Sequence, residues 1–372
     1  MECSSKELID FSLTYLGYTN KYRGGIMKTI PIIFILFFIT VSTISAKDYT
    51  KKSEVRAFIN EMVHQHKFDK RELTELFSTV RFQKKALAVY VRALRPIIKR
   101  PKNYKPPKKQ GSWDRYEAWL LKDSRVQRGV QYMKEYNNTL QRAYRKYGVP
   151  PEYITAIIGI ESYYGKNTGK FPVFDTLTTL AFEENRRNKF FRSELKAFLL
   201  MTKREGVNPK PIMGSIAGAI GLGQFMPSNY KTLAVDFNRD GKKRMNNHED
   251  AIGSIAHYFK RSGWKKDREV AVRVEYEGNR YRGRKTGYKH KHHRSALKGI
   301  APIRHFNYKD KVHLIKLKRL SYDELWYGTR NFYAITRYNH SNYYAMAVHQ
   351  LAQKIKKSYN RSRSHSSILA TK

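Results

Sequence analysis

The spacing of apolar residues predicts helices over most of the chain. Behind Ser53, apolar side chains recur at i, i+3, i+4 and i+7, and these are Val55, Phe58, Ile59 and Met62. This spacing is typical of a helix with a serine cap. Four prolines at 92–109 predict a linker. Helical spacing resumes near Trp113 and continues to about Lys203, and a glycine-rich segment and an acidic loop separate it from one more apolar helix.

After Trp264, alternation replaces the helical spacing. Apolar and polar side chains alternate in two stretches, at Val270, Val272 and Val274 and again at Val312 and Leu314. Such alternation predicts strands. A closing helix is predicted at about 343–355, followed by a Ser/Arg-rich tail that we expect to be disordered.

The N-terminal residues have the pattern of an export signal that begins at Met27. A basic residue, an apolar run at 30–40 and small residues before Lys47 favour a signal peptide over a membrane span, because the run is short. An uncleaved anchor in the inner membrane is the alternative. We interpret residues 1–26 as a mis-assigned start, so Cys3 would be absent and no lipid-bearing cysteine would follow the apolar run.

These patterns predict a mainly α (α+β) protein with a small inserted β-containing module. Its regions are a mis-assigned start at 1–26, a signal peptide at 27–46, an N-terminal helical region at 47–140 with the basic linker 92–109, a helical core at 141–264 with the acidic loop 236–250, a basic strand-containing module at 265–325, a return segment with the closing helix at 326–358, and a basic disordered tail at 359–372.

Charge narrows the choice of partners. The 372 residues include 73 Lys and Arg against 31 Asp and Glu, which gives a net charge of +42. Such a chain favours polyanions such as nucleic acid, anionic lipid or an acidic cell-surface polymer. Residues 279–319 alone hold 14 Lys or Arg and one acid. The single cysteine excludes a disulfide scaffold and a thiolate zinc site.

Glu161 is the sharpest candidate for chemistry. Pro150 and Pro151 suit a helix start, and three isoleucines precede Glu161 at helical spacing, so its carboxylate falls on the apolar face of its own helix. Desolvation of this kind raises the pKa of a carboxyl group, as a general acid requires at neutral pH. The alternative is a structural ion pair with a nearby arginine.

Seven motifs in sequence order carry a family resemblance. They are YGVPPEYITAIIGIESYYG, FDTLTTLAF, NRRNKFFRSEL, GSIAGAIGLGQFMPSNY, AVDFNRDG, DAIGSIAHYF and YAITRYNHSNYYAMAV. They cover the chain from about Trp113 to Trp264 and again from Trp326 to about Gln353. In these motifs the chain resembles the membrane-bound lytic murein transglycosylase B family, glycoside hydrolase family 103.

The resemblance implies a lysozyme-like catalytic core and non-hydrolytic cleavage of the MurNAc–GlcNAc β-1,4 bond of peptidoglycan, which leaves 1,6-anhydroMurNAc ends. It assigns Glu161 as the single acid/base, which protonates the leaving oxygen and then takes the proton of the C6 hydroxyl. By sequence alone, Glu183 and Glu184 remain candidates for a second carboxylate. Substrate-assisted glycosidases work without a second carboxylate. No organic cofactor is expected.

The resemblance also implies substrate-binding residues. Ser215 and Gln224 would hydrogen-bond the sugars or orient Glu161, and Arg186 and Arg187 would meet carboxylates of the muramyl unit. The cleft lining would comprise Tyr116, Tyr258, Tyr338, Asn339 and Tyr344. Without the resemblance, these types of residue are typical of turns, solvated charge and packing.

The acidic loop 236–250 is a candidate calcium site. Oxygen ligands at positions 1, 3 and 5, a glycine at 6 and a carbonyl at 7 match the start of an EF-hand loop, although the closing acid falls at position 15 instead of 12, as in this family's calcium loop. The candidate ligands for a structural Ca²⁺ are Asp236, Asn238, Asp240, the Lys242 carbonyl and Asp250. The alternative is an Asp/Asn/Gly turn, and nearby basic side chains weaken cation binding. Residues 289–293 are interpreted as an exposed basic loop, not as a histidine metal site.

Peptidoglycan glycan strands are the expected partner, with other cell-wall enzymes as further candidates. We expect a periplasmic monomer and no nucleic-acid partner, since no nucleic-acid motif is present. The basic stretches at 279–319 and 92–109 are interpreted as tethers to the wall. A hydrolytic muramidase, in which Glu161 activates water, and a non-catalytic basic wall-binding protein are the alternatives.

Overall fold

The computed structural model describes residues 46–94 and 110–370. The expected start at Met27, Cys3, the signal peptide except Ala46, and the linker from residue 95 onward lie outside these residues. Within them the chain forms thirteen α-helices, one four-stranded antiparallel sheet and two short strand pairs. The predicted mainly α (α+β) class is confirmed.

The elements follow one another with short connections. The helices are α1 (Ser53–His66), α2 (Lys70–Ser78), α3 (Lys84–Tyr90), α4 (Ser112–Leu120), α5 (Asp123–Glu135), α6 (Asn137–Tyr147), α7 (Pro151–Glu161), α8 (Val173–Phe182), α9 (Asn188–Glu205), α10 (Pro227–Leu233), α11 (His248–Arg261), α12 (Arg330–Tyr338) and α13 (Asn342–Ala370). The strands are β1 (Ala46–Lys47), β2 (Val80–Arg81), β3 (Phe171–Pro172), β4 (Met213–Gly214), β5 (Ala271–Tyr276), β6 (Ile300–Pro302), β7 (His313–Lys318) and β8 (Asp323–Gly328).

One hydrophobic core joins the N-terminal helices to the rest of the molecule. It runs from Tyr49 to Ile355 and includes buried residues of α1, α4, α7, α9, α11 and α13. Helix α7 lies at its centre, packed against α5, α6, α11 and α13. The expected division at 140/141 is therefore wrong as a packing boundary, because α6 spans it.

The inserted module is a sheet with strand order β6-β5-β8-β7 and all neighbours antiparallel. Strand β7 shows how it is attached: Leu314 belongs to a small core inside the module, whereas Ile315 and Leu317 belong to the main core. Successive side chains point to opposite faces of a strand, so β7 is buried on both faces, whereas alternation predicts burial of one. Arg319 adds an ionic attachment, since its guanidinium pairs with Asp114 of α4 at 3.0 Å and with Glu324 of β8 at 2.7 Å.

Three sequence predictions about element ends are wrong. Ser53 is the first helical residue of α1, and Lys52 occupies the cap position. The module does not end at residue 325, because β8 continues to Gly328. The closing helix continues to Ala370 where a disordered tail at 359–372 was expected. No proline or glycine interrupts 343–370, and Tyr359 packs against the main core.

Candidate active site

Helix α7 ends at Glu161, the residue on which the site is built. The next two tyrosines have left-handed backbones, Tyr163 with φ 50° and Tyr164 with φ 61°. Such backbones carry a steric cost for residues other than glycine, so the surrounding structure has to hold them. The Tyr164 hydroxyl lies so close to Gly129 and Gly159 that a Cβ on either glycine would be 2.5–2.6 Å from it. Two glycines on facing helices thus make the slot that fixes the chain just after Glu161.

The Glu161 carboxyl group is poised between its protonated and ionised forms at neutral pH. Burial raises its pKa from 4.5 to about 7, opposed by the hydrogen bond that the Tyr344 hydroxyl donates to Oε1 at 2.5 Å. Among the described residues, no ion pair to Glu161 is formed, so the arginine-paired alternative is wrong. The residue keeps partial solvent exposure, as a group that meets a substrate must.

Three tyrosines form a wall beside Glu161. The rings of Tyr338 and Tyr344 stack 6.5 Å apart with an interplanar angle of 9°, and the Tyr258 ring lies 4.7 Å from that of Tyr338. Tyr338 donates to the Gly223 carbonyl and Tyr258 donates to the Arg337 carbonyl. Burial and the nearby Glu161 charge raise the pKa of Tyr338 and of Tyr344, which keeps both phenols neutral.

Tyr116 and Asn339 continue this wall. Tyr116 stacks on Trp113 of α4 at 5.9 Å, and both rings meet Tyr343 edge-on. Tyr343 is the sequence neighbour of Tyr344, so α4 supports the segment that contacts Glu161. Asn339 is buried, and in the described part of the chain its side-chain oxygen has no hydrogen-bond partner. A buried amide oxygen without a partner is costly unless a ligand supplies one.

Ser215 and Gln224 lie in the glycine-rich turns before α10. The Ser215 hydroxyl oxygen accepts bonds from the N–H groups of Ala217 and Ala219, so it stabilises its own turn. Gln224 has a left-handed backbone with φ 49°. Its amide nitrogen donates to the carbonyls of Thr168 at 3.0 Å and Gly221 at 2.8 Å. Among the described residues, both hydrogen bonds of the Gln224 side chain are donated by its nitrogen.

Arg186 and Arg187 lie between α8 and α9. Arg186 is exposed, whereas the Arg187 guanidinium lies 4.4 Å from the Phe190 ring centre.

Sequence analysis missed Glu194, a buried carboxylate of α9 that accepts two bonds from Ser228 at the start of α10. Burial raises the pKa of Glu194, and the Ser228 bonds and the Arg187 charge oppose this. In the sequence, only its position within the motif NRRNKFFRSEL indicated that Glu194 has a role.

Neither candidate for a second carboxylate resembles Glu161. Glu183 pairs with Lys47 at 2.7 Å and Lys52 at 3.5 Å, which ties the N-terminal strand to the end of α8. Burial raises the pKa of Glu183, but the bond from Lys47 and the charges of Lys47 and Lys52 oppose this, and the pKa lies below its usual value. Glu184 is exposed.

The acidic loop 236–250 is closed by its own hydrogen bonds. Buried Asp250 accepts from the backbone N–H groups of Phe237, Asn238 and Arg244. Asp236 accepts from the N–H groups of Asp240 and Gly241. The Asp240 carboxylate accepts from the Lys242 N–H, from the Asn238 amide and from the Arg244 guanidinium at 2.6 Å, and these contacts lower its pKa.

The donor set of this loop suits a hard cation, because every candidate ligand is an oxygen. Residues 46–94 and 110–370 contain no group of three or more His, Cys, Asp or Glu side chains gathered closely enough to hold a metal. In the loop the Arg244 guanidinium forms an ion pair with Asp240.

Comparison with known proteins decides the family. The family model described as transglycosylase SLT domain matches residues 50–353. The chain belongs to this family. It is 40% identical over 310 residues to membrane-bound lytic murein transglycosylase B of Escherichia coli K12, covering 83% of this chain and 84% of that protein. The chain is thus an enzyme of the lytic murein transglycosylase type.

Solved structures share the fold. The Escherichia coli lytic transglycosylase Slt35 in complex with calcium is 39% identical, with a TM-score of 0.76 over 84% of this chain and 96% of that one. Soluble lytic transglycosylase SltB1 of Pseudomonas aeruginosa is 36% identical, with a TM-score of 0.72 over 82% and 99% of the two chains. The lysozyme-like core expected from the resemblance is confirmed. Within the described ranges, no helix is long and apolar enough to cross a membrane.

Proposed function

We propose that this enzyme cleaves the MurNAc–GlcNAc β-1,4 bond of peptidoglycan and leaves 1,6-anhydroMurNAc ends, with Glu161 as its only acid/base. The observation that carries the proposal is the Glu161 carboxyl group itself: it is desolvated, has a pKa of about 7 and is bonded to a neutral phenol. A group with a pKa near the working pH serves both as acid and as base.

In the proposed reaction, Glu161 does its work in two proton transfers. Protonated Glu161 gives its proton to the glycosidic oxygen as the bond to C1 breaks. The resulting carboxylate takes the proton of the C6 hydroxyl while that oxygen bonds to C1, so the enzyme returns to its starting state. The Tyr344 hydroxyl donates to Oε1 in both states and stabilises the ionised one more strongly, because hydrogen bonds to charged groups are the stronger ones.

Other residues would position the sugars. Asn339 and Gln224 offer amide oxygens that can accept from a sugar hydroxyl or an acetamido N–H. The rings of Tyr116, Tyr258 and Tyr338 suit sugar faces, and Arg186 and Arg187 would meet the carboxylates of the muramyl unit. Ser215 would act by holding the turn that precedes Gln224.

Product analysis on purified sacculi tests the reaction. The wild type should release muropeptides with anhydro ends, each one water lighter than the product of a hydrolytic muramidase. Glu161→Gln should lower the rate by about 10²- to 10⁴-fold, the range that acid–base catalysis contributes. Glu184→Gln should keep full activity. Hydrolysed ends from the wild type, or loss of activity in Glu184→Gln, would overturn the one-carboxylate reaction.

A structural calcium ion in the loop 236–250 is part of the proposal. Oxygen donors at Asp236, Asn238, Asp240, the Lys242 carbonyl and Asp250 support it, together with the calcium complex of the relative Slt35. A bound cation would displace the Arg244 guanidinium from Asp240. The role would be structural, because Asp250 already connects the loop to the start of α11.

Export completes the proposal. The relative in Escherichia coli is named as membrane-bound and for murein, which supports export to the cell wall through the signal at 27–46, either into the periplasm or with an uncleaved anchor in the inner membrane. Translation would start at Met27, and an intact mass beginning at Met1 would contradict this. Peptidoglycan is the proposed partner, as a related SltB3 was solved with NAG-NAM-pentapeptide. We expect a monomer that does not require nucleic acid.

A further inference from the structure

The loop between β5 and β6 concentrates positive charge. We define the basic loop as residues 282–293, which contain five Lys or Arg and no acid. All five of these side chains are exposed, and they are Arg282, Arg284, Lys285, Lys289 and Lys291. In the described parts of the chain, none of them forms an ion pair with a carboxylate, whereas Arg280 just before the loop pairs with Glu277.

The basic loop is held in place by its backbone. The Gly287 N–H donates to the Leu314 carbonyl at 2.7 Å, and His292 and Val312 exchange backbone bonds of 2.8 and 2.9 Å. Both partners lie at or beside β7, so the loop is fastened to the sheet along one side. A fastened loop presents its charges in a fixed arrangement, which lowers the entropy cost of binding a ligand.

The other side of the basic loop is fastened to the wall of the cleft. The Tyr288 N–H donates to Asn342 Oδ1 at 2.9 Å, and the Tyr288 ring stacks on His340 with an interplanar angle of 16°. Gly287 has φ 104°, and a Cβ there would be 3.0 Å from the Asn342 amide. His340 and Asn342 lie between Asn339 and Tyr344, which form the wall beside Glu161. The basic loop therefore borders the catalytic cleft.

We propose that the basic loop binds the carboxylates of the peptide stems of the glycan strand that occupies the cleft. This inference rests on the proposed function, since it names the part of the same substrate that the loop contacts. Muramyl units carry peptides with free carboxylates, and three lysines beside the cleft are complementary to them. Lysine ammonium groups suit carboxylates of varied geometry, because they act as flexible point charges. The loop contributes binding to the substrate and takes no part in proton transfer.

The test compares two substrates and two triple variants. The loop variant is Lys285→Gln, Lys289→Gln and Lys291→Gln together. The control variant is Lys70→Gln, Lys84→Gln and Lys85→Gln, which removes the same charge from exposed lysines of α2 and α3. Each is assayed on sacculi with intact peptides and on glycan strands stripped of their peptides, at low and high salt.

We expect kcat/KM of the loop variant on intact sacculi to fall about tenfold at low salt. The fall should come from a higher KM with kcat unchanged, because each exposed ion pair contributes little binding energy and is screened by salt. On stripped strands and at high salt the loss should fall below about twofold. The control variant should stay within about twofold of the wild type throughout.

Several outcomes would overturn the inference. An equal loss on both substrates would mean that the loop supports the fold or the sugar sites, and an equal loss in the control variant would mean that only net charge matters. The loop would be assigned to nucleic acid by two results together. A DNA duplex would compete with sacculi for the wild type but not for the loop variant, and the two proteins would cleave intact sacculi equally well. Failure of the proposed function is separate, because it would change the mass of the products and not the dependence on peptides.

Discussion

Two regions of this molecule use carboxylates in opposite ways. Glu161 lies at the end of a buried helix, has one phenol as its partner and a pKa raised to about 7. Asp250 is also buried, but three backbone N–H groups donate to it. Desolvation disfavours the ionised form of Glu161, whereas the three donors bond Asp250 to the backbone of its own loop. Proton chemistry therefore belongs at Glu161, and the loop 236–250 is suited to holding structure and a cation.

Replacing each carboxylate by its amide should separate the two regions most clearly. Asp250→Asn replaces one acceptor oxygen by an NH₂ group that faces buried backbone donors, so we expect a loss of about 2–3 kcal/mol in the free energy of unfolding. Urea unfolding of this variant and of Asp310→Asn, an exposed aspartate outside the loop, measures the effect. Equal stabilities of the two variants would contradict the role of Asp250.

Calcium should stabilise the loop 236–250 and leave the proton transfer by Glu161 unchanged. Millimolar calcium should raise the melting temperature above that in chelator, and the free energy of unfolding should rise by about 2.7 kcal/mol if calcium is a hundredfold above its Kd. Arg244→Ala should enlarge the shift, because the guanidinium no longer competes for Asp240. An unchanged melting temperature in both proteins would remove calcium from the proposal.

The Tyr344 hydroxyl should set the basic limb of the pH profile. Activity that needs protonated Glu161 should fall as the pH rises through about 7. Tyr344→Phe removes the bond that lowers this pKa, so the limb should move to higher pH, and kcat/KM should fall about tenfold, as for one lost hydrogen bond to a charged group. Tyr338→Phe removes a hydroxyl that donates to Gly223, so it should leave the limb in place. Equal shifts in both variants would contradict the assignment.

The sequence was sufficient for the elements that depend on local spacing. The helix that carries Glu161, the strands around Val272 and Leu314, and the family followed from periodicity and motifs. What it could not predict depends on contacts between distant residues. The bond between Glu161 and Tyr344 spans 183 positions, and the slot for Tyr164 combines glycines of two helices. Strand β8 was missed because its sequence, DELWYG, does not alternate apolar and polar residues. The length of α13 was missed because a basic Ser/Arg composition was interpreted as disorder.

The free energy of unfolding should depend on pH through the buried carboxyl group of Glu161. In the unfolded chain its carboxyl group titrates near 4.5 and in the folded protein near 7. Its contribution to stability is therefore fully present below about 4.5 and is lost as the pH rises through 7, because the folded state must then bury a charge or take up a proton. The side chain in Glu161→Gln is never ionised, so this variant should match the wild type at pH 4 and exceed its free energy of unfolding by about 3 kcal/mol at pH 8. Glu184→Gln serves as the exposed control, and a constant difference between Glu161→Gln and the wild type across this range would show that burial does not raise the pKa of Glu161.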